Sequence, residues 1–160
     1  MANVRSSGIL LYRFAGDKRG AGALEVFIAH MGGPFWSRKD DHAWSIPKGE
    51  YDDTEDVFAV AHREFLEEIG VSAPDAEYVR LGDFRQASGK VVTVFAAESD
   101  LEVDAVASNT FPLEWPPRSG RMQEFPEVDD ARWVPLDAAR IKLVKGQLSA
   151  LDALVRKIEE

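Results

Sequence analysis

Glu64, Glu67 and Glu68 stand within five residues of one another, in "REFLEEIG" (residues 63–70). On a helix they occupy about two turns, where like charges at i, i+3 and i, i+4 repel by a few tenths of a kcal/mol per pair. A solvated acidic face is one account of such a cluster. The helical repeat of about 100° per residue favours another, because Glu68 projects close to Val57 and Ala61 and so borders the apolar side. A carboxylate in that position is costly unless it is paired or bound to a metal. Ligands that are all oxygen suit magnesium or manganese. A bound ion would turn the mutual repulsion into a site.

The elements that must carry these carboxylates are legible around them. A helix is expected from Thr54 to Ile69, with Asp52 or Asp53 as N-cap and Gly70 as the stop. Val57, Phe58, Ala61, Phe65 and Ile69 share the face that should pack on a sheet. Strands are expected in "SGILLYRF" (7–14) and "LEVFIAHM" (24–31), able to pair as a hairpin, and in the short extended "AWSIP" ended by Pro47. A second pair, "EYVRLGDFRQ" (77–86) and "KVVTVFAAES" (90–99), turns at Ala87–Gly89. The Pro-containing stretch from Leu101 to Asp130 reads as one long irregular loop, a length often tied to function. "ARWVPL" reads as a last strand, and "QLSALDALVRKI" has helical apolar spacing at Leu148, Leu151, Leu154, Val155 and Ile158. The fold class is α/β, a mixed β-sheet sandwiched between α-helices, in a single domain over residues 1–160.

Composition bounds the function. With no cysteine, disulfides and thiolate metal sites are excluded. A net charge of −9 repels long nucleic acid but not a small phosphorylated ligand met by metal ions or local cations. "MANVRSSGILLYRF" lacks the pattern of a signal peptide, and no apolar run reaches membrane-spanning length. A cytoplasmic monomer or homodimer, without membrane or nucleic-acid partners, is the expectation.

From Gly49 the chain reads as a glycine, five residues, Glu55, seven residues, then Arg63-Glu64-Phe65-Leu66-Glu67-Glu68-Ile69-Gly70-Val71. This resembles the Nudix box, G-x5-E-x7-R-E-U-x-E-E-x-G-U. All seven fixed positions agree, and an aromatic, Phe65, occupies one apolar position. The resemblance implies the Nudix fold and hydrolysis of a nucleoside diphosphate linked to another group, using metal-activated water. It places Glu64, Glu67 and Glu68 as metal ligands, with the Gly49 carbonyl as a further one. It pairs Arg63 with Glu55 as the ion pair that steadies loop and helix, and it names Mg²⁺ as cofactor, with Mn²⁺ as substitute.

The segments flanking the box bear on substrate. "WSIPKGE" resembles the version found in asymmetrical diadenosine tetraphosphate hydrolases and diphosphoinositol polyphosphate phosphatases, and makes Lys48 a candidate phosphate contact. "PEVDDARW" is similar to the E-H-x-x-Y-R-W segment of the former group at Glu127, Arg132 and Trp133, but Val128 and Ala131 replace its histidine and tyrosine. Glu127 is thereby the candidate fourth carboxylate, as metal ligand or general base, with Glu124 as its rival. Phe35, Trp36, Trp44 and Trp115 are candidates to sandwich a base, with core packing the alternative for Trp44 and for Trp133. Arg38 and Lys39 are candidates for outer phosphates. His30, His42 and His62 have no spacing of a ligand set.

The expected substrate is a small nucleotide, first of all diadenosine tetraphosphate cut to ATP and AMP. The alternatives are (oxidised) nucleoside triphosphates, ADP-ribose or diphosphoinositol phosphates. A non-catalytic nucleotide-binding regulatory module is the alternative of another class, and the complete set of box carboxylates weighs against it.

Overall fold

The computed structural model of the chain describes residues 4–160. Residues 1–3, the start of the segment read above for a signal peptide, lie outside the described residues. The strands are β1 (Arg5–Phe14), β2 (Leu24–Met31), β3 (Trp44–Ser45), β4 (Lys48–Tyr51), β5 (Val79–Arg85), β6 (Val91–Glu98), β7 (Thr110–Glu114), β8 (Met122–Pro126) and β9 (Val128–Pro135). The helices are α1 (Val57–Ile69), α2 (Leu136–Lys142) and α3 (Leu148–Glu159).

β1 is the hub of a mixed seven-stranded sheet. It runs parallel to β6 from Arg5 to Tyr12, and antiparallel to β2 at one end and to β4 at the other. β5 extends the sheet beyond β6, while β3 and β9 pair with β2. Alternation along β1 divides its side chains between two cores, as a pleated strand must. Ile9 and Leu11 face α1 with Phe27, Ala61, Phe65 and Ile69. Leu10 faces the other way, with Val26, Val94, Leu143, Leu151 and Leu154 around α2 and α3. Burying each such large apolar side chain contributes roughly 1.5–3 kcal/mol. This is the sheet between helices that the sequence pattern implies, and among the described residues no helix is long and apolar enough to cross a membrane.

Several boundaries differ from expectation. α1 begins at Val57, with Asp56 as N-cap accepting from the Ala59 N–H at 2.9 Å. Asp52 instead closes the turn before the helix, accepting from both the amide and the hydroxyl of Thr54. Local side-chain bonds of this kind compete with helix formation and delay its start. Gly70 ends the helix in the left-handed region, φ 93°, as expected of a glycine at that cap. The stretch expected to be irregular contains the β7–β8 hairpin, paired from Thr110↔Pro126 to Glu114↔Met122. α2 and β4 are further elements that periodicity did not reveal, both being too short to show a repeat.

Candidate metal and nucleotide site

β4 and α1 build the site together. Lys48 and Gly49 stand opposite Gly8 and Ser7 of β1, which brings the strand against α1. A Cβ at Gly49 would occupy the place of the Glu64 carboxyl group, so glycine here lets that carboxylate lie against the strand. The Lys48 amide donates to Glu68 Oε1 at 3.1 Å, turning that carboxylate inward. On the outer flank Arg63 Nη1 donates to Glu55 Oε2 at 2.7 Å, while its Nη2 lies 3.5 Å from Glu64 Oε1 and its Nε 3.9 Å from Glu67 Oε1. Glu55 also accepts from the Asp52 amide at 3.1 Å, fastening the loop to the helix.

Glu127 arrives from the opposite side of the sheet's edge. Its amide donates to the Asn109 carbonyl and its own carbonyl accepts from Gly32, both at 2.9 Å. The Asn109 amide in turn donates to the Glu67 carbonyl at 2.7 Å, linking the approach to the hairpin directly to α1. A Cβ at Gly32 would run into the Pro126 carbonyl, so this contact demands glycine.

These elements form a cavity of about 520 Å³ lined by the four candidate carboxylates, Glu64, Glu67, Glu68 and Glu127, and by a fifth, Glu50, with Lys48, Gly49 and Trp36. Burial pushes the Glu68 carboxyl up to about 8, although the Lys48 amide and charge oppose this. Burial and then the Glu67 charge raise Glu64 and Glu127 as well, with Arg63 partly offsetting the effect at Glu64. Arg63 acts the opposite way on Glu55, holding it below the ordinary carboxylate range.

Desolvated acids crowded together favour either protons or a cation, and the all-oxygen donor set suits a hard divalent ion. Among the described residues, however, no three acidic or histidine side chains are gathered closely enough to hold one ion as they stand. Arg63 and the Lys48 amide hold carboxylate oxygens apart in this arrangement. The residues fit a divalent ion in kind, and binding one would require their side chains to rotate toward it.

The remaining candidates divide. Arg38 and Trp115 line neither this cavity nor its neighbour; Trp115 meets the exposed Phe35 edge-on at 5.4 Å. Glu124 accepts from Thr110 Oγ1 at 2.7 Å on the hairpin and does not line the cavity. Lys39 places its ammonium 5.3 Å from the Trp36 ring centre. Trp44 is buried in the α2–α3 core, and Trp133 packs against the α1 core. His62 stacks edge-on with Phe58 and Tyr78, and His42 meets the Leu143 carbonyl at 2.8 Å.

Sequence reasoning missed Glu50, Lys90, Met31 and Phe111, which also line the cavity. A second cavity of about 430 Å³ adjoins it and shares Met31, Trp36, Ser45, Lys48 and Lys90. Neither Lys48 nor Lys90 has an ion-pair partner among the described residues. No local signal marks Lys90, because the pairing of β6 alongside β1 brings it there.

Comparison with known proteins places this geometry. The sequence model of the NUDIX domain matches residues 7–154. Among solved structures, a Caenorhabditis elegans Ap4A hydrolase in a binary complex is similar with a TM-score of 0.63 and 21% identity, over 98% of each chain. The NUDIX domain of Shewanella oneidensis NrtR, complexed with ADP ribose, gives 0.61 and 20%, over 99% of this chain and 90% of that one. The Escherichia coli ORF135 protein gives 0.58 and 17%, over 98% and 91%. At such identities the likeness speaks to the fold. No curated protein sequence matches the chain.

Proposed function

The chain belongs to the NUDIX family, and from that premise we propose that it hydrolyses diadenosine tetraphosphate asymmetrically, to ATP and AMP. The coarser statement is that it is a Nudix pyrophosphohydrolase of nucleoside diphosphate derivatives. The observation that carries the finer reading is the pair of cavities joined at Lys48 and Lys90, one lined by five carboxylates and the other by none. A substrate with a diphosphate at the carboxylates and further phosphates beyond it would meet both lysines.

In this reading Glu64, Glu67 and Glu68, with the Gly49 carbonyl, hold Mg²⁺, and Mn²⁺ can replace it. A divalent ion supplies charge neutralisation for the diphosphate and lowers the pKa of water beside it. Glu127, held by Asn109 and Gly32, joins the ligands or accepts the proton of the attacking water at its carboxylate. Arg63 and Glu55 keep the loop and helix in register. Lys48 and Lys90 orient the phosphate chain as point charges. Trp36 and Phe111, which reach the cavity, offer the aromatic surface that the replaced tyrosine would otherwise supply.

The test is a magnesium-supplemented hydrolysis panel of diadenosine tetraphosphate, ADP-ribose, nucleoside triphosphates and diphosphoinositol phosphates, with products from ¹⁸O-water read by mass spectrometry. The expected result is the highest kcat/KM for diadenosine tetraphosphate, with ATP and AMP as products. ADP as sole product would exclude asymmetric cleavage, and a higher kcat/KM for ADP-ribose would move the assignment to a shorter diphosphate.

A further inference from the structure

His30 lies at the end of β2, buried, with both ring nitrogens facing oxygen acceptors. Nδ1 is 2.7 Å from Asp129 Oδ1, and Nε2 is 2.6 Å from the Lys39 carbonyl. A neutral imidazole has one N–H and can satisfy one of these contacts. Only the imidazolium donates to both. The two acceptors belong to different parts of the site. Asp129 follows Glu127 by two residues on β9. The Lys39 amide donates to the Trp36 carbonyl at 2.9 Å, so the residue whose carbonyl His30 grips also fixes the turn that presents Trp36.

We propose that His30 is a positioning residue: as a doubly donating imidazolium it staples the 32–43 loop, which bears Trp36, to the start of β9 beside Glu127, and so governs how tightly substrate is held. The proposal rests on the reading of the carboxylate-lined cavity as the substrate site. Other charges around the ring are Asp130 and Arg132 of β9, Asp40 of the loop and Lys142 of α2. Asp130 and Arg132 pair with each other at 2.8 Å, and Lys142 pairs with Asp40 at 2.7 Å. Asp40 also accepts from Trp44 Nε1, whose ring meets His30 edge-on. Asp129 is therefore the carboxylate bonded to the imidazolium, and Asp40, which the ring's charge also reaches, anchors the far end of the loop through Lys142 and Trp44.

The test follows the His30 ring by ¹⁵N NMR in the full chain while amide hydrogen exchange is read over residues 32–43. Both ring nitrogens should carry protons where the loop is protected, and exchange should rise across the same pH interval in which the ring loses a proton. His30→Gln should raise KM about tenfold, the worth of one hydrogen bond to a charged group, with kcat within about twofold. Asp129→Asn, at a partly exposed acceptor, should likewise raise exchange over residues 32–43. Rising KM in the wild type should follow the ring titration and be absent in His30→Gln. A singly protonated ring throughout, or unchanged exchange and KM in a folded His30→Gln, overturns the staple. If no substrate of the panel is cleaved, the functional reading fails by itself, and the ring shifts and loop exchange still decide the staple.

Discussion

The carboxylate helix and the aromatic loops meet at one cavity but are built in opposite ways. α1 stands on Ala61, Phe65 and Ile69, all fully buried, and each box side chain is held by a partner within a few residues or across one strand. The 32–43 loop and the β7–β8 hairpin bury little of themselves, and Phe35 and Met122 stay 58% and 65% exposed. They are placed by isolated bonds, Gly32 to Glu127, Asn109 to Glu67 and His30 to Lys39. On the proposed reading, the metal-holding carboxylates sit on the rigid part, and the surfaces offered to the rest of the substrate sit on the part that few contacts restrain.

The largest effect should come from the rigid side. Glu67→Gln and Glu68→Gln should each lower kcat at least about a hundredfold, since even the groups that support metal ligands cost 10–100-fold when lost. Steady-state kinetics with a Mg²⁺ titration checks this, and retained magnesium-dependent hydrolysis would break the contrast.

Gly49→Ala strikes the joint between β4 and α1. Its new methyl group displaces the Glu64 carboxyl, the mobile end of a flexible side chain, so most of the activity should be lost while stability changes by less than about 1 kcal/mol. Thermal melts beside activity assays read both.

Replacing Lys48 and Lys90 sharpens the other half of the comparison. Lys48→Ala and Lys90→Ala should each raise KM for diadenosine tetraphosphate about tenfold, the scale of one charge-assisted contact, and raise it less for ADP-ribose. Equal losses on both substrates would detach the second cavity from the phosphate chain.

The buried acid makes a prediction about pH. Glu68 titrates near 8 in the folded chain, above the ordinary 4.5 of a free glutamate. Between those values the unfolded chain releases a proton that the folded chain keeps, so metal-free stability should fall as pH rises and then level off above about 8. Glu68→Gln should flatten that slope. Mg²⁺ needs the ionised carboxylate and should therefore raise Tm more at pH 8 than at pH 5, a difference visible by calorimetry.

The smallest effect belongs to the loop tips. Arg38→Ala and Trp115→Ala, which do not reach the cavity, should leave kcat/KM within about twofold. Trp36→Ala should raise KM several-fold, by the loss of one aromatic contact. A large loss in Trp115→Ala would mean that the hairpin closes over the substrate.

What the sequence by itself determined is local and periodic. The alternation of Ile9, Leu10 and Leu11, the apolar stripe of α1, the Gly70 stop and the spacing of Glu55, Arg63, Glu64, Glu67 and Glu68 all act within a few residues, so they can be read along one segment. The start of α1 was misplaced because Asp52 forms its own turn and Asp56 takes the cap, a competition between two near-equal local bonds. Tertiary structure alone decided the rest. Lys90 comes to the cavity because β6 lies beside β1. Glu127 rather than Glu124 faces it because Gly32 and Asn109 grip its backbone. Trp36 reaches it because the turn at Lys39 is tied to His30, whose other partner is 99 residues away. Such contacts depend on which distant strands pair, and no period in the chain records that.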